Sequence, residues 1–68
     1  MSYILKDGLK EELTKRYKGK YLAEQLGRTQ SYISLLINRK ITCPKPVAYT
    51  FVKLINSSYE IEDLFERV

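Results

Sequence analysis

The sequence contains no histidine and no tryptophan, and Cys43 is the only cysteine among its 68 residues. Without histidine, the chain lacks the most common acid–base catalyst and metal ligand. A single cysteine excludes an internal disulfide and a cysteine-rich zinc site, and it is typical of proteins from a reducing cytoplasm. We therefore predict a cytoplasmic protein that is not an enzyme and holds no metal or cofactor. Cys43 is interpreted as a small apolar core residue rather than a redox sensor.

Long apolar runs are missing as well. No segment approaches the 18 or so consecutive apolar residues of a membrane-spanning helix, and the first residues do not have the pattern of a secretory signal. The sequence therefore predicts a protein without a membrane partner. Its length predicts one small domain over residues 1–68.

Positive charge is concentrated in the first part of the chain. Residues 1–40 carry nine Lys or Arg and four Asp or Glu, whereas residues 41–68 carry three and four. The first part is therefore at +5 and the second at −1, which together give the net charge of +4. Clustered positive charge is typical of a surface that faces nucleic acid, although a solvated surface can show the same bias.

Residues 22–40 have the pattern of two short helices joined by a tight turn. Gly27 follows the last apolar residue of the first helix, where a left-handed backbone is common. Thr29 is suited to cap the second helix, because its hydroxyl can accept a hydrogen bond from a free backbone N–H. Each helix has apolar residues at helical spacing, which are Leu22, Ala23 and Leu26 in the first and Ile33, Leu36 and Ile37 in the second. These features predict a helix-turn-helix over residues 20–38.

The residues of this stretch resemble a known family. The pattern L-A-x-x-L-G-x-[ST]-Q-S-x-I-S-x-[IL], followed by N-x-K, is similar to the DNA-binding core of Cro/CI-type, lambda-repressor-like regulators. The resemblance is close over residues 22–40 and extends more loosely to Phe65. It implies an all-α fold of five short helices, and a sequence-specific DNA-binding transcriptional regulator like the small Cro-type proteins of temperate phages. A phage-encoded regulator would act in the cytoplasm of its bacterial host.

The resemblance also implies which residues contact DNA. The second helix of the motif would enter the major groove of double-stranded DNA as the recognition helix. The expected base contacts are Gln30, Ser31, Tyr32, Ser34 and Leu35. Gln30 is the strongest of these, because its amide can pair with adenine N7 and N6. The expected phosphate contacts are Lys20, Thr29, Asn38, Arg39 and Lys40.

Two departures from the family pattern leave a second function open. Leu35 lies in the middle of the predicted DNA-contacting face and can at best touch a thymine methyl group. The start of the first motif helix has Gly19 and Lys20, where relatives often have a glutamine that braces the recognition helix. The alternative is a protein-binding modulator, similar to an antirepressor, that associates with a partner repressor through Leu35 and Tyr32 and alters its DNA binding.

The rest of the chain is predicted to be helical as well. Asp7 should cap a first helix that runs to about Tyr17, and two more helices should cover about residues 46–56 and 60–67. Apolar residues recur every four positions in the first helix, at Leu5, Leu9, Leu13 and Tyr17. Ile4 and Leu5 are expected to make the first core contacts, and 17–21 and 41–45 to be linkers. Phe65 and Val68 either form the contact of a weak homodimer or complete the core of a monomer.

Overall fold

The computed structural model of the protein describes residues 2–68, and it corrects the predicted all-α fold. Five helices within these residues are accompanied by a three-stranded antiparallel sheet. The strands are β1 (Ser2–Leu5), β2 (Cys43–Pro44) and β3 (Phe65–Arg67), and β1 lies in the middle. The prediction was wrong because these strands have two to four residues and pair with partners far away in the chain.

The central strand β1 pairs with β2, from the middle of the chain, and with β3, near its C-terminal end. Tyr3 lies opposite Cys43 on one side and Arg67 on the other, and Leu5 lies opposite Phe65. Side chains alternate across a strand, so Tyr3 and Leu5 point into the core and are buried. The first core contacts are therefore Tyr3 and Leu5, whereas Ile4, which was predicted to be one, is only half-buried.

Three helices follow β1: α1 (Lys10–Arg16), α2 (Gly19–Leu26) and α3 (Gln30–Ile37). The first helix begins two residues later than predicted, with Leu9 and not Asp7 at the cap position, because Gly8 has a positive φ of 85° that breaks helical geometry before Leu9. Gly19 does not end a helix but is the first residue of α2. The linker between α1 and α2 is therefore shorter than predicted.

The last two helices are α4 (Lys45–Ile55) and α5 (Ile61–Leu64). Helix α4 begins directly after β2, with Pro46 in its first turn, where a missing N–H costs nothing. The predicted helix over residues 60–67 is wrong in its second half. The chain becomes extended at Phe65, because β3 pairs there with β1 and buries the Phe65 ring.

The core lies between the inner face of the sheet and the helices. Phe51 of α4 and Phe65 of β3 are fully buried and meet edge to face, with their ring centroids 5.6 Å apart. Other fully buried side chains come from the strand, the motif helices and α4, namely Leu5, Leu22, Ile33, Leu36 and Val52. One side of α2 and one side of α3 therefore pack against the core, and the opposite side of α3 is exposed to solvent.

Candidate nucleic-acid interface

The turn between α2 and α3 has the geometry that its residues predict. Gly27 adopts the left-handed conformation with φ 67° and ψ 32°. The N–H of Arg28 donates to the carbonyl oxygen of Ala23 at 2.9 Å, so the end of α2 is closed by the turn itself. Thr29 Oγ1 accepts a hydrogen bond from the N–H of Tyr32 at 3.1 Å. The predicted roles of Gly27 and Thr29 in ending α2 and capping α3 are confirmed.

Helix α3 is divided into a buried and an exposed side. Its buried residues are Ile33, Leu36 and Ile37, as the apolar spacing predicted. The exposed residues are Gln30, Ser31, Ser34 and Leu35, and Tyr32 is half-buried at the flank. Leu35 keeps 44% of its surface exposed, although it is a large apolar residue. Four of the five predicted base contacts therefore lie on the exposed side of α3, whereas Tyr32 is partly packed against the core.

A groove with polar side chains at its rim and with Tyr17, Ile33 and Ile37 in its lining runs along one side of α3. Gln30, Ser34 and Asn38, four residues apart, line it together with Lys10 and Thr14 of α1. The first residue of α2, Gly19, lies at the same groove, which has a volume of about 310 Å³. No carboxylate belongs to its lining. Lys10 and Thr14 could not be predicted as neighbours of α3 from the sequence, because only the tertiary position of α1 brings them beside it.

The predicted phosphate contacts fall into two groups. Lys20, Thr29, Asn38 and Lys40 are at the surface, in the first turn of α2, at the start of α3 and directly after α3. Asn38 also ends α3, since its Nδ2 donates to the carbonyl oxygen of Ser34 at 2.7 Å. Thr29 lies at the start of α3 and Asn38 and Lys40 follow its end, whereas Lys20 follows Gly19, which lines the groove beside α3.

Arg39 differs from the other predicted phosphate contacts, because its guanidinium is already engaged within the protein. Its Nε donates to the carbonyl oxygen of Leu5 at 2.8 Å. Its two terminal nitrogens lie 3.9 Å from an Asp7 oxygen and 3.7 Å from a Glu66 oxygen. A phosphate at Arg39 would have to compete with these contacts. Arg39 joins the end of α3 to β1 and β3.

Arg28 is a basic residue of the motif that the sequence analysis did not select. It lies in the turn before α3, and its guanidinium carbon is 5.2 Å from the centre of the Tyr32 ring. Burial raises the pKa of Tyr32, with a further increase from Cys43 and an opposing effect of the Arg28 cation. The Tyr32 hydroxyl is thus uncharged at neutral pH. Arg28 and Tyr32 are four residues apart, a spacing at which side chains can meet. The spacing alone does not predict this contact, because α3 begins only at Gln30, between the two residues.

Negative charge is missing from the part of the sequence around α3. Between Glu24 and Glu60 there is no Asp or Glu, although this segment contains Arg28, Arg39, Lys40, Lys45 and Lys53. The acidic residues after it are Glu60, Glu62, Asp63 and Glu66, in or next to α5 and β3. A phosphate that approaches the exposed side of α3 therefore meets little repulsion from neighbouring residues in the chain.

Cys43 lies in β2 and is buried among core residues. Burial raises the pKa of its thiol to about 11, so the reactive thiolate is almost absent at neutral pH. Within residues 2–68, no group of three or more His, Cys, Asp or Glu residues is placed to hold a metal ion. In the same residues, each helix is too short or too polar to cross a lipid bilayer.

Comparison with known proteins does not assign the chain to a family: no protein-family model, no curated protein and no solved structure matches it. The functional interpretation therefore rests on the residues and contacts described above.

Proposed function

We propose that the protein is a sequence-specific DNA-binding transcriptional regulator of the phage Cro/CI type. In this proposal α3 enters the major groove of double-stranded DNA and α2 lies across the backbone. The observation that carries the proposal is the exposed side of α3, which has Gln30, Ser31 and Ser34 and no acidic residue, and which a closed turn and a capped helix start present to solvent. The regulator would act in the cytoplasm, without a cofactor and without catalysis.

The exposed residues of α3 supply groups that bind base edges. Gln30, in the first turn of α3, has an amide that donates and accepts in the pattern of adenine in the major groove. Ser31 and Ser34 can bond to bases or phosphates, and Leu35 can contact a thymine methyl group. Lys20, Thr29, Asn38 and Lys40 surround this set and are suited to bind phosphates, which fixes the orientation of α3 without specifying sequence.

The dimensions of the protein suit binding in pairs. Its Cα atoms extend 25 × 25 × 23 Å. Half-sites one turn of DNA apart are separated by about 34–36 Å, so two copies fit on the same face of the duplex without overlap. Phe65 is buried and completes the core of each copy, while Val68 keeps 67% of its surface exposed. Of Phe65 and Val68, only Val68 is therefore exposed enough to form a weak homodimer contact.

Two substitutions on a selected DNA site test the proposed placement of α3. Gln30→Ala should cost about 1–3 kcal/mol of binding free energy and relax the preference at one base position. Lys40→Ala should weaken binding to all sequences alike and lower the salt dependence. Gln25→Ala and Lys15→Ala are matched controls, since both residues are exposed and lie outside the proposed interface. If the two test variants bound like their controls, the placement of α3 would be wrong.

Leu35 favours a second candidate function. A large apolar side chain that is 44% exposed on the outer side of α3 is suited to a protein interface. The protein would then be a modulator that binds a partner repressor and alters its DNA binding. In that case Leu35→Asp would abolish the complex with the repressor, and the affinity of the protein for DNA would hardly differ between sequences. A clear preference for one DNA site would argue against this function.

A further inference from the structure

Arg28 is the basic side chain of the motif that is held in place and yet open to a ligand. The Tyr32 ring lies under its guanidinium at 5.2 Å, an arrangement that stabilises a cation over an aromatic face. The ring itself is packed against the core and is therefore a fixed platform. Because this contact already limits the rotamers of Arg28 in the free protein, the side chain loses less conformational entropy when it binds a ligand.

The contact with the ring does not use the N–H donors of Arg28 in a hydrogen bond. Arginine has five N–H donors that point outward in the plane of the group, and they can bind the oxygens of a ligand while the cation lies over the ring. Within residues 2–68 Arg28 has no ion pair, in contrast to Arg39 with its two carboxylates. Arg28 is thus a prearranged fork of donors without an acceptor.

The position of Arg28 indicates what this fork can bind. Its backbone ends α2, through the hydrogen bond to Ala23, and Thr29 and Gln30 begin α3 directly after it. If the N-terminal end of α3 meets base edges, the residues just before it lie beside the DNA backbone that borders the groove. A guanidinium binds the two free oxygens of a phosphate in a bidentate manner.

We propose that Arg28, held over the Tyr32 ring, binds a phosphate of the DNA backbone beside the N-terminal end of α3. This inference rests on the proposed function. It changes the role of Tyr32 from a base contact to a positioning residue that acts through Arg28. The bound phosphate fixes the depth and direction at which α3 enters the groove, and it does not contribute to sequence preference.

The test is a set of DNA titrations over a range of salt concentrations, on a selected site and on random DNA. Arg28→Ala should weaken binding to both DNAs roughly fivefold at 0.15 M salt, and should lower the slope of log K against log salt by about 1. Arg16→Ala is the control. It also removes an exposed arginine, but one that pairs with Glu12 on α1, and it should leave the slope unchanged.

The role of Tyr32 is tested by two variants and a double-mutant cycle. Tyr32→Phe keeps the aromatic face and should bind like the wild type, whereas Tyr32→Leu should reproduce part of the Arg28→Ala loss. In the Tyr32→Leu background, Arg28→Ala should then cost less than it does alone. Circular dichroism shows whether Tyr32→Leu is folded. The result for Tyr32→Phe can be interpreted even if Tyr32→Leu is not folded. Equal losses for Tyr32→Phe and Tyr32→Leu would overturn the platform role.

The outcomes separate this contact from the proposed function. If Lys40→Ala lowers the salt slope and Arg28→Ala does not, the Arg28 contact is overturned and the DNA-binding function stands. A loss confined to one base position, with an unchanged slope, would show that Arg28 contacts a base and would also overturn the phosphate assignment. If the wild-type protein shows no salt-dependent binding to DNA at all, both proposals fail.

Discussion

Arg39 has a backbone conformation that is unusual for a residue other than glycine, and its side chain makes the contacts that stabilise this conformation. Its φ of 59° is in the left-handed region, which side-chain-bearing residues rarely adopt. The hydrogen bond from Nε to the carbonyl oxygen of Leu5 links the residue after α3 to the end of β1. We infer that this bond, together with the ion pairs to Asp7 and Glu66, compensates for the backbone strain.

Arg39→Ala should therefore destabilise the protein by about 1–2 kcal/mol, because the carbonyl oxygen of Leu5 loses its charged donor. Urea denaturation measures this loss. Glu66→Gln is the comparison, since it removes an exposed ion pair at 3.7 Å that contributes little, about 0–1 kcal/mol. If Glu66→Gln were as destabilising as Arg39→Ala, the ion pair and not the backbone contact would be the stabilising interaction.

Cys43 gives a prediction about pH. Burial raises the pKa of its thiol to about 11 from an ordinary value of 9.0, so the folded protein favours the neutral thiol. The free energy of unfolding is unaffected by this group below about pH 9, and it falls as the pH rises from about 9 to about 11. In Cys43→Ala this contribution is absent. The stability advantage of the wild type over Cys43→Ala should thus shrink by about 2 kcal/mol over that range.

Denaturation of both proteins at several pH values tests this prediction. Ionisable groups that Cys43 does not influence cancel in the difference. A Tyr32→Phe background in both proteins removes Tyr32, whose pKa Cys43 raises. A difference in stability that stayed constant from pH 8 to pH 11 would contradict the effect of burial on Cys43.

Helix α3 depends on the cap at its start. Thr29→Ala removes the acceptor of the Tyr32 N–H and should cost about 1 kcal/mol of stability, measured by thermal or urea denaturation. Thr50→Ala is a matched control in α4, where the hydroxyl donates to the carbonyl oxygen of Pro46 within a helix that is already hydrogen-bonded. Equal effects of the two substitutions would show that the Thr29 cap does not stabilise α3.

The sequence was sufficient for elements whose signals are local. Gly27 and Thr29 each determine a helix end through their own backbone or hydroxyl, and the apolar spacing of Ile33, Leu36 and Ile37 predicted which side of α3 is buried. The exposed residues of the candidate interface follow from the same spacing. These predictions needed no knowledge of the rest of the chain.

The sheet could not be predicted in the same way. Phe65 continues the apolar spacing of Ile61 and Leu64, so residues 60–67 fit a helix when they are considered alone. The pairing of Phe65 with Leu5, 60 positions earlier, makes residues 65–67 extended instead. The neighbours of α3 depend on tertiary packing too. Lys10 lies beside α3 only because of the position of α1 in the fold. The ion pair of Arg39 with Glu66 likewise forms only because Glu66 belongs to β3, which pairs with β1.

At the scale of the whole molecule, the sheet joins the two ends of the chain and the charge is unevenly distributed. The N–H of Val68 donates to the carbonyl oxygen of Ser2 at 2.9 Å. The acidic residues of α5 and β3 lie in the last nine residues, whereas the segment that contains α3 has positive charge alone. On the proposed function, the protein should approach DNA with α3 first. Glu66 of the acidic end lies near the end of α3, where it is paired with Arg39 at 3.7 Å.

The most direct test of DNA-binding regulation is a titration of the protein against the DNA that flanks its own gene, at two salt concentrations, with random DNA as the control. The proposed function predicts a clear preference for one short site, which persists at the higher salt because base contacts are less sensitive to salt than phosphate contacts. Weak binding that is equal on both DNAs and disappears at the higher salt would contradict sequence-specific regulation and would favour the partner-binding function of Leu35.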